Sequence, residues 1–197
     1  SVASRGLGDV YKRQVPDCYA DLGYRTVSTN PCGEIPLCPY DSCRLLAINL
    51  YSYVVNPFKP DAYFDFDLFK KHVALAQRIM DDIIDLELEK IERIMAKIDS
   101  DPENEDVKHT ESVLWQKIYK KSGQGRRTGV GITAEGDMLA ALGLRYGTEE
   151  ATEFAEKVHQ TVALSAYRSS VEMAKERGAF EVYDSEREKN NPFINRL

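Results

Sequence analysis

From residue 66 to residue 98 the apolar positions fall at Phe69, Val73, Ala76, Met80, Ile83, Ile84, Leu88, Ile91, Met95 and Ile98. Steps of three and four place them on one face of an α-helix. Asp67 stands where a cap would start that helix, and Asp99-Ser100-Asp101-Pro102 where it would stop. At 1.5 Å per residue such a helix is roughly 45–50 Å long, which suits a large domain better than a small one. A second long helix opens at Thr148 as cap, carries Glu150 and Ala151 in its first turn, and stops at Gly178. Between the two the pattern is weaker. Residues 101–111 read as an acidic connector, Glu111 to Lys121 as a helix broken by Gly123 and Gly125, and Thr128 to Thr133 as a short buried strand. Glu135 to Leu142 reads as a short helix ended by Gly143. Nearer the start, residues 24–34 favour an extended strand, and Pro31, Gly33, Pro36 and Pro39 punctuate a loop. The apolar run from Cys43 to Val55 fits either period, and Asn56 to Pro60 closes it. Helices alternating with short strands predict an α/β architecture.

Composition narrows the classes. The chain has 197 residues, enough for one domain or a large piece of one, with a core that needs no disulfides. Its net charge of −6 excludes a strongly basic nucleic-acid binder and argues against anionic membranes. No apolar run reaches the ~18–20 residues of a membrane helix. Four cysteines are too few for a disulfide scaffold, so a reducing, cytoplasmic setting is expected. Residues 1–14 (SVASRGLGDVYKRQ) have no helical or strand period and read as a non-native leader. Residues 15–197 are expected to be a fragment of a single domain, because the text stops at Leu197 just as apolar residues return.

The chemistry is concentrated in Asn30-Pro31-Cys32-Gly33-Glu34. In an extended chain, side chains at i, i+2 and i+4 share a side, so an amide, a thiol and a carboxylate stand in a row. Alternate residues are roughly 6.6 Å apart, about the width of a sugar ring with its hydroxyls. Pro31 biases Asn30 toward extended backbone, and Gly33 allows a turn or the close approach of a ligand. The same residues also suit an ordinary turn. Cys43 stands eleven positions after Cys32, with prolines between that could fold the chain back. Two neighbouring thiols can supply two electrons by closing a disulfide. Alternatively, Cys43 is a small buried hydrophobe at the head of an apolar run.

Ser28-Thr29-Asn30-Pro31-Cys32-Gly33-Glu34-Ile35-Pro36-Leu37, followed by Cys43-Arg44-Leu45-Leu46-Ala47-Ile48-Asn49-Leu50, resembles the catalytic core of ribonucleotide reductase large chains. The Asn-Pro-Cys-Gly-Glu form is most similar to the adenosylcobalamin-dependent, class II enzymes. Gly125 to Thr133 and Gly136 to Gly143 resemble later parts of that core. The resemblance implies part of a ten-stranded α/β barrel, present here as a helix-rich fragment. It implies that Cys32 becomes a thiyl radical that abstracts the 3′ hydrogen of the ribose, that Glu34 is the base on the 3′ hydroxyl, and that Asn30 hydrogen-bonds the sugar hydroxyls. Cys43 would be one half of the dithiol that reduces the 2′ carbon. A water-poor pocket protects such a radical, and a carboxylate beside a hydroxyl can take its proton.

The resemblance further implies a ribonucleotide substrate, diphosphate or triphosphate, nucleotide effectors acting through other regions, a thioredoxin-like reductant, and a homodimer of the complete protein, within a ribonucleoside-diphosphate reductase or its triphosphate counterpart. It places the partner of Cys43 upstream of this chain. Cys18, only fourteen positions before Cys32, is a poor substitute. The chain alone is therefore expected to be inactive, with exposed sheet edges. The glycines at 129, 131 and 136 do not have the spacing of a dinucleotide loop. No metal site is assigned to the four cysteines, and no residues are assigned to the cobalamin. The competing reading is a helical protein-interaction module in which the cysteine motif is a structural turn.

Overall fold

The computed structural model describes residues 18–30, 36–42, 44–192 and 194–196. They form two compact units: residues 44–82 with 128–179, and residues up to 43 with 83–127 and 180–197. Among the described residues the strands make three two-stranded sheets, with no closed barrel. No described helix is long and apolar enough to cross a membrane.

The unit formed by residues 44–82 and 128–179 holds an apolar core. The ambiguous run after Cys43 resolves into strand β3 (Leu45–Asn49), a 3-10 turn (Leu50–Tyr53) and strand β4 (Val54–Val55). Asn49 ends β3 because its side chain accepts from the Tyr51 amide at 3.0 Å. β4 pairs antiparallel with β5 (Tyr63–Phe64). β3 pairs in parallel with β6 (Gly129–Thr133), Leu45 opposite Gly129 and Asn49 opposite Thr133. Helix α1 (Phe66–Ser100) starts where the sequence pattern places it and runs two residues past the expected end. Its cap is Asp65, whose carboxylate accepts from the Leu68 amide at 2.9 Å, and Asp67 lies inside the first turn. Phe69, Val73, Ala76 and Met80 of its first half are buried, as the periodicity requires. Tyr53 and Phe64 pack against Phe69 and each other, and Phe154 packs on Phe64, with ring centroids from 4.9 to 6.1 Å apart. Leu50, Met138, Leu139 and Val158 complete the core. Met138 and Leu139 come from α3 (Glu135–Ala141), and Val158 from α4 (Glu149–Arg177). The Thr148 hydroxyl accepts from the Ala151 amide at 3.3 Å, the expected cap of α4.

The other unit contains the second half of α1, buried at Ile84, Ile91 and Ile98, together with α2. Helix α2 spans Glu105–Gly125, starting six residues earlier and ending four later than the sequence pattern suggests. Asn104 caps it, accepting from the Asp106 amide at 2.9 Å. The acidic stretch read as a connector supplies Glu105 and Asp106 to the positive end of the helix dipole. Gly123 and Gly125 do not break α2; Arg126, with φ of 43°, ends it in the left-handed region. The predicted strand over residues 24–34 shrinks to β1 (Ser28–Thr29), which pairs antiparallel with β2 (Pro36–Leu37). Tyr24 is instead buried as a side-chain anchor, after a Gly23 turn with φ of 85°. A short helix, α5 (Ser185–Lys189), is tied back by Arg187, which forks onto Asp21 at 2.6 and 2.7 Å.

Candidate functional site

The described strands frame the cysteine motif. Ser28 stands opposite Leu37 and Thr29 opposite Pro36, so residues 30–35 join two paired strands. The Val27 amide extends the pairing by donating to the Leu37 carbonyl at 2.9 Å. Asn30 is buried at 6% exposure, and the Thr29 hydroxyl donates to its carbonyl at 3.1 Å. Burial of a polar amide is costly unless it is hydrogen-bonded. Cys32, Glu34 and Cys43 lie outside the described residues, as do Pro31 and Gly33.

Beside that frame is a buried cluster that periodicity and motif spacing do not reveal. Cys38, directly after β2, is 4% exposed, and its thiol donates to Asp41 Oδ2 at 3.4 Å. Burial, then the negative charge of Asp41, pushes the Cys38 thiol up to about 11. It therefore stays protonated at neutral pH and is a poor nucleophile. The Asp41 side chain is only 2% exposed, and Arg127 Nη1 lies 3.4 Å from its Oδ2. The other arm of the guanidinium, Nη2, donates to the Tyr24 carbonyl at 3.3 Å. Lys121 Nζ lies 3.9 Å from the centroid of the Tyr24 ring and donates to the Gly23 carbonyl at 3.1 Å. The Tyr24 hydroxyl is buried without a hydrogen-bond partner, and burial raises its phenol above the ordinary range. The only sequence signal for this cluster is the Gly125-Arg126-Arg127 triplet at a helix end; its partners stand 86 to 103 positions away.

Arg126 and Arg127 leave α2 in different directions because of the left-handed residue between helix and strand. Arg126 returns to α1, donating to Asp85 Oδ1 at 2.7 Å, and its amide donates to the Ser122 carbonyl at 3.0 Å. Arg127 is thereby aimed at Tyr24 and Asp41. Cys18 is half-buried, its sulfur 4.0 Å from Glu188 Oε1, which also accepts from the Tyr19 hydroxyl at 2.8 Å. These contacts occupy Cys18 in holding the two ends of the unit together.

Comparison with known proteins gives a consistent family. A family model described as ribonucleotide reductase, barrel domain, matches residues 21–194. A vitamin B12-dependent ribonucleoside-diphosphate reductase of Thermoplasma acidophilum is 36% identical over 163 residues, covering 82% of this chain and 18% of that protein. The protein of the same name from Mycobacterium tuberculosis is 31% identical over 163 residues, 83% of this chain and 19% of that one. A ribonucleoside-diphosphate reductase subunit alpha of Chlamydia pneumoniae is 28% identical over 159 residues, 79% of this chain and 12% of that protein. The chain thus spans less than a fifth of the length of these curated relatives.

Proposed function

Since this chain belongs to the ribonucleotide reductase family through its barrel domain, we propose that it carries part of the catalytic centre of an enzyme that reduces ribonucleoside diphosphates to deoxyribonucleotides. The reading rests above all on the β1–β2 pairing around residues 30–35, with Asn30 buried at its start. In this reading Asn30 orients the sugar through its hydroxyls. The Cys32 sulfur, as a radical, takes the 3′ hydrogen atom while Glu34 takes the 3′ hydroxyl proton. The 2′ hydroxyl then leaves as water with a proton from the dithiol, whose other proton and two electrons go to the 2′ carbon, and Glu34 returns its proton to the 3′ oxygen. Cys43 and a second cysteine give up two electrons and two protons and close a disulfide. The hydrogen returns from Cys32 to the 3′ carbon, which restores the sulfur radical. Cys38, held protonated by burial, takes no part.

The cofactor proposal, adenosylcobalamin as the source of the radical, follows the names of the relatives. The cavities described on the two units, about 290 and 410 Å³, lie at the small end of ~300–1,000 Å³ ligand pockets and do not fit a corrinoid. No residue of this chain is assigned to the cobalamin. The complete protein is proposed to work in the cytoplasm as a homodimer, with nucleotide effectors and a thioredoxin-like reductant, and the barrel to be shared between this chain and the rest of the reductase. This stretch alone, at under a fifth of the relatives' length, is proposed to be inactive.

The test is turnover by the complete reductase. With a ribonucleoside diphosphate, adenosylcobalamin and a dithiol, deoxyribonucleotide should form; its absence would refute the reading. Equal turnover without cobalamin would refute the cofactor alone.

A further inference from the structure

The last turns of α2 carry Lys117, Lys120, Lys121 and Gln124. Steps of three and four put these side chains on one face of the helix. That face lines a cavity of about 290 Å³, and Leu22 and Tyr40 complete the lining. Lys117 Nζ lies 5.1 Å from the centroid of the Tyr40 ring, and Lys121 Nζ lies 3.9 Å from that of Tyr24. Tyr40 has φ of 64°, the left-handed region that a bulky residue rarely adopts. Lys121 also donates to the Gly23 carbonyl at 3.1 Å. Among the described residues, no carboxylate pairs with any of these three lysines. Other lysines of the same two helices are neutralised: Lys108 by Glu105 at 3.3 Å and Lys97 by Asp101 at 2.6 Å. We propose that the cavity binds a polyphosphate group, either the diphosphate or triphosphate of a nucleotide or a free polyphosphate, through Lys117, Lys120 and Lys121. No residue from 30 to 35 takes part, so the site stands or falls apart from the function proposed above.

Like charges three and four positions apart on a helix repel and cost stability. Lys117 opposes both Lys120 and Lys121 in this way, in a chain whose net charge is −6 and which has carboxylates to spare. Gln124 continues the row but holds the Glu181 carboxylate on its own amide at 2.6 Å, not on a lysine. An anion that entered the cavity would relieve the repulsion. Its size follows from the helix. Lys117 and Lys121 are set off by about 6 Å along the axis at 1.5 Å per residue. A diphosphate or triphosphate spreads its charge and its acceptor oxygens over such a length, whereas a lone carboxylate does not. Ammonium groups on flexible stems each offer three rotatable donors, which suits a row of phosphate oxygens. A nucleic-acid backbone would need a longer basic track than one short row beside a small cavity.

The experiment acetylates the lysines of the complete reductase at fixed ionic strength and reads each one by mass spectrometry, with and without inorganic tripolyphosphate. Tripolyphosphate should slow acetylation of Lys117 and Lys120 several-fold and saturably, and leave Lys70 and Lys71 of α1 unchanged. In Lys120→Gln, the tripolyphosphate concentration that half-protects Lys117 should rise about fivefold or more. ATP that protects at lower concentration than tripolyphosphate would assign the site to a nucleotide, and ATP that needs as much or more would assign it to the polyphosphate alone; either result supports the site. Unchanged acetylation of Lys117 and Lys120, or equal slowing of Lys70 and Lys71, would overturn it. So would an unchanged half-protecting concentration in Lys120→Gln. Hexaglutamate that protects as well as tripolyphosphate would make this a surface for an acidic protein segment and overturn the polyphosphate site. The wild-type footprint needs no substitution, so it decides the question even should the variant fail to fold.

Discussion

The two units of this chain both combine apolar burial with polar ties, but around different centres: an aromatic cluster in one, an arginine network in the other. In the unit of residues 44–82 and 128–179, Leu50, Phe69, Val73 and Met138 have no exposed surface, and aromatic rings pack edge to face around Phe69. In the unit that carries the cysteine motif, Ile84, Ile91 and Ile98 are buried, and polar side chains tie distant segments together. Arg187 holds Asp21, Arg126 holds Asp85, Arg127 holds Asp41 and Tyr24, and Gln124 donates to Glu181 at 2.6 Å. Apolar contact is non-directional and tolerates small displacements, whereas hydrogen bonds and forked ion pairs fix distance and angle.

That contrast can be broken by mutation. Phe69→Ala empties the aromatic centre and should cost about 3–5 kcal/mol in equilibrium denaturation; a loss under about 1 kcal/mol would mean that the core is not where stability lies. Gly125→Ala attacks the motif unit. Its added Cβ would meet Tyr24 Cε1 at 2.7 Å, and the Tyr24 ring is too buried to swing away. A cost of about 1–3 kcal/mol is expected, with little change in the other unit's protection from hydrogen exchange.

The smallest effect concerns Cys38. Its thiol is pushed from 9.0 up to about 11 by burial, so its neutral form is favoured in the folded protein. The associated stability is complete below pH 9.0 and is lost as pH rises through about 11. Alkylation followed by mass spectrometry should therefore label Cys18 well before Cys38 near pH 8. Equal rates would show that the Cys38–Asp41 contact does not persist in solution.

Sequence pattern revealed the apolar unit better than the polar one, for a physical reason. Periodicity records burial, so the stripe on α1, the Thr148 cap and the Gly143 and Gly178 stops could all be read directly. The start of α2 was hidden because Asn104, Glu105 and Asp106 look the same in a solvated connector and in a capped helix. The Asp65 cap was displaced by two positions for the same reason, since either aspartate suits a helix start. The Arg127 fork left no local trace, because its partners at Tyr24 and Asp41 are joined only by folding. At the candidate site, motif resemblance points to Asn30, which is buried at 6% exposure, whereas Cys32, Glu34 and Cys43 lie outside the described residues.

The most direct measurement replaces one sulfur at a time in the complete reductase and follows deoxyribonucleotide formation. Cys32→Ser is expected to fold normally and form no product, because a hydroxyl cannot take the role of the sulfur radical, while Cys18→Ser keeps its turnover. Product formed by Cys32→Ser at a rate near wild type would contradict the assignment of catalysis to this hairpin.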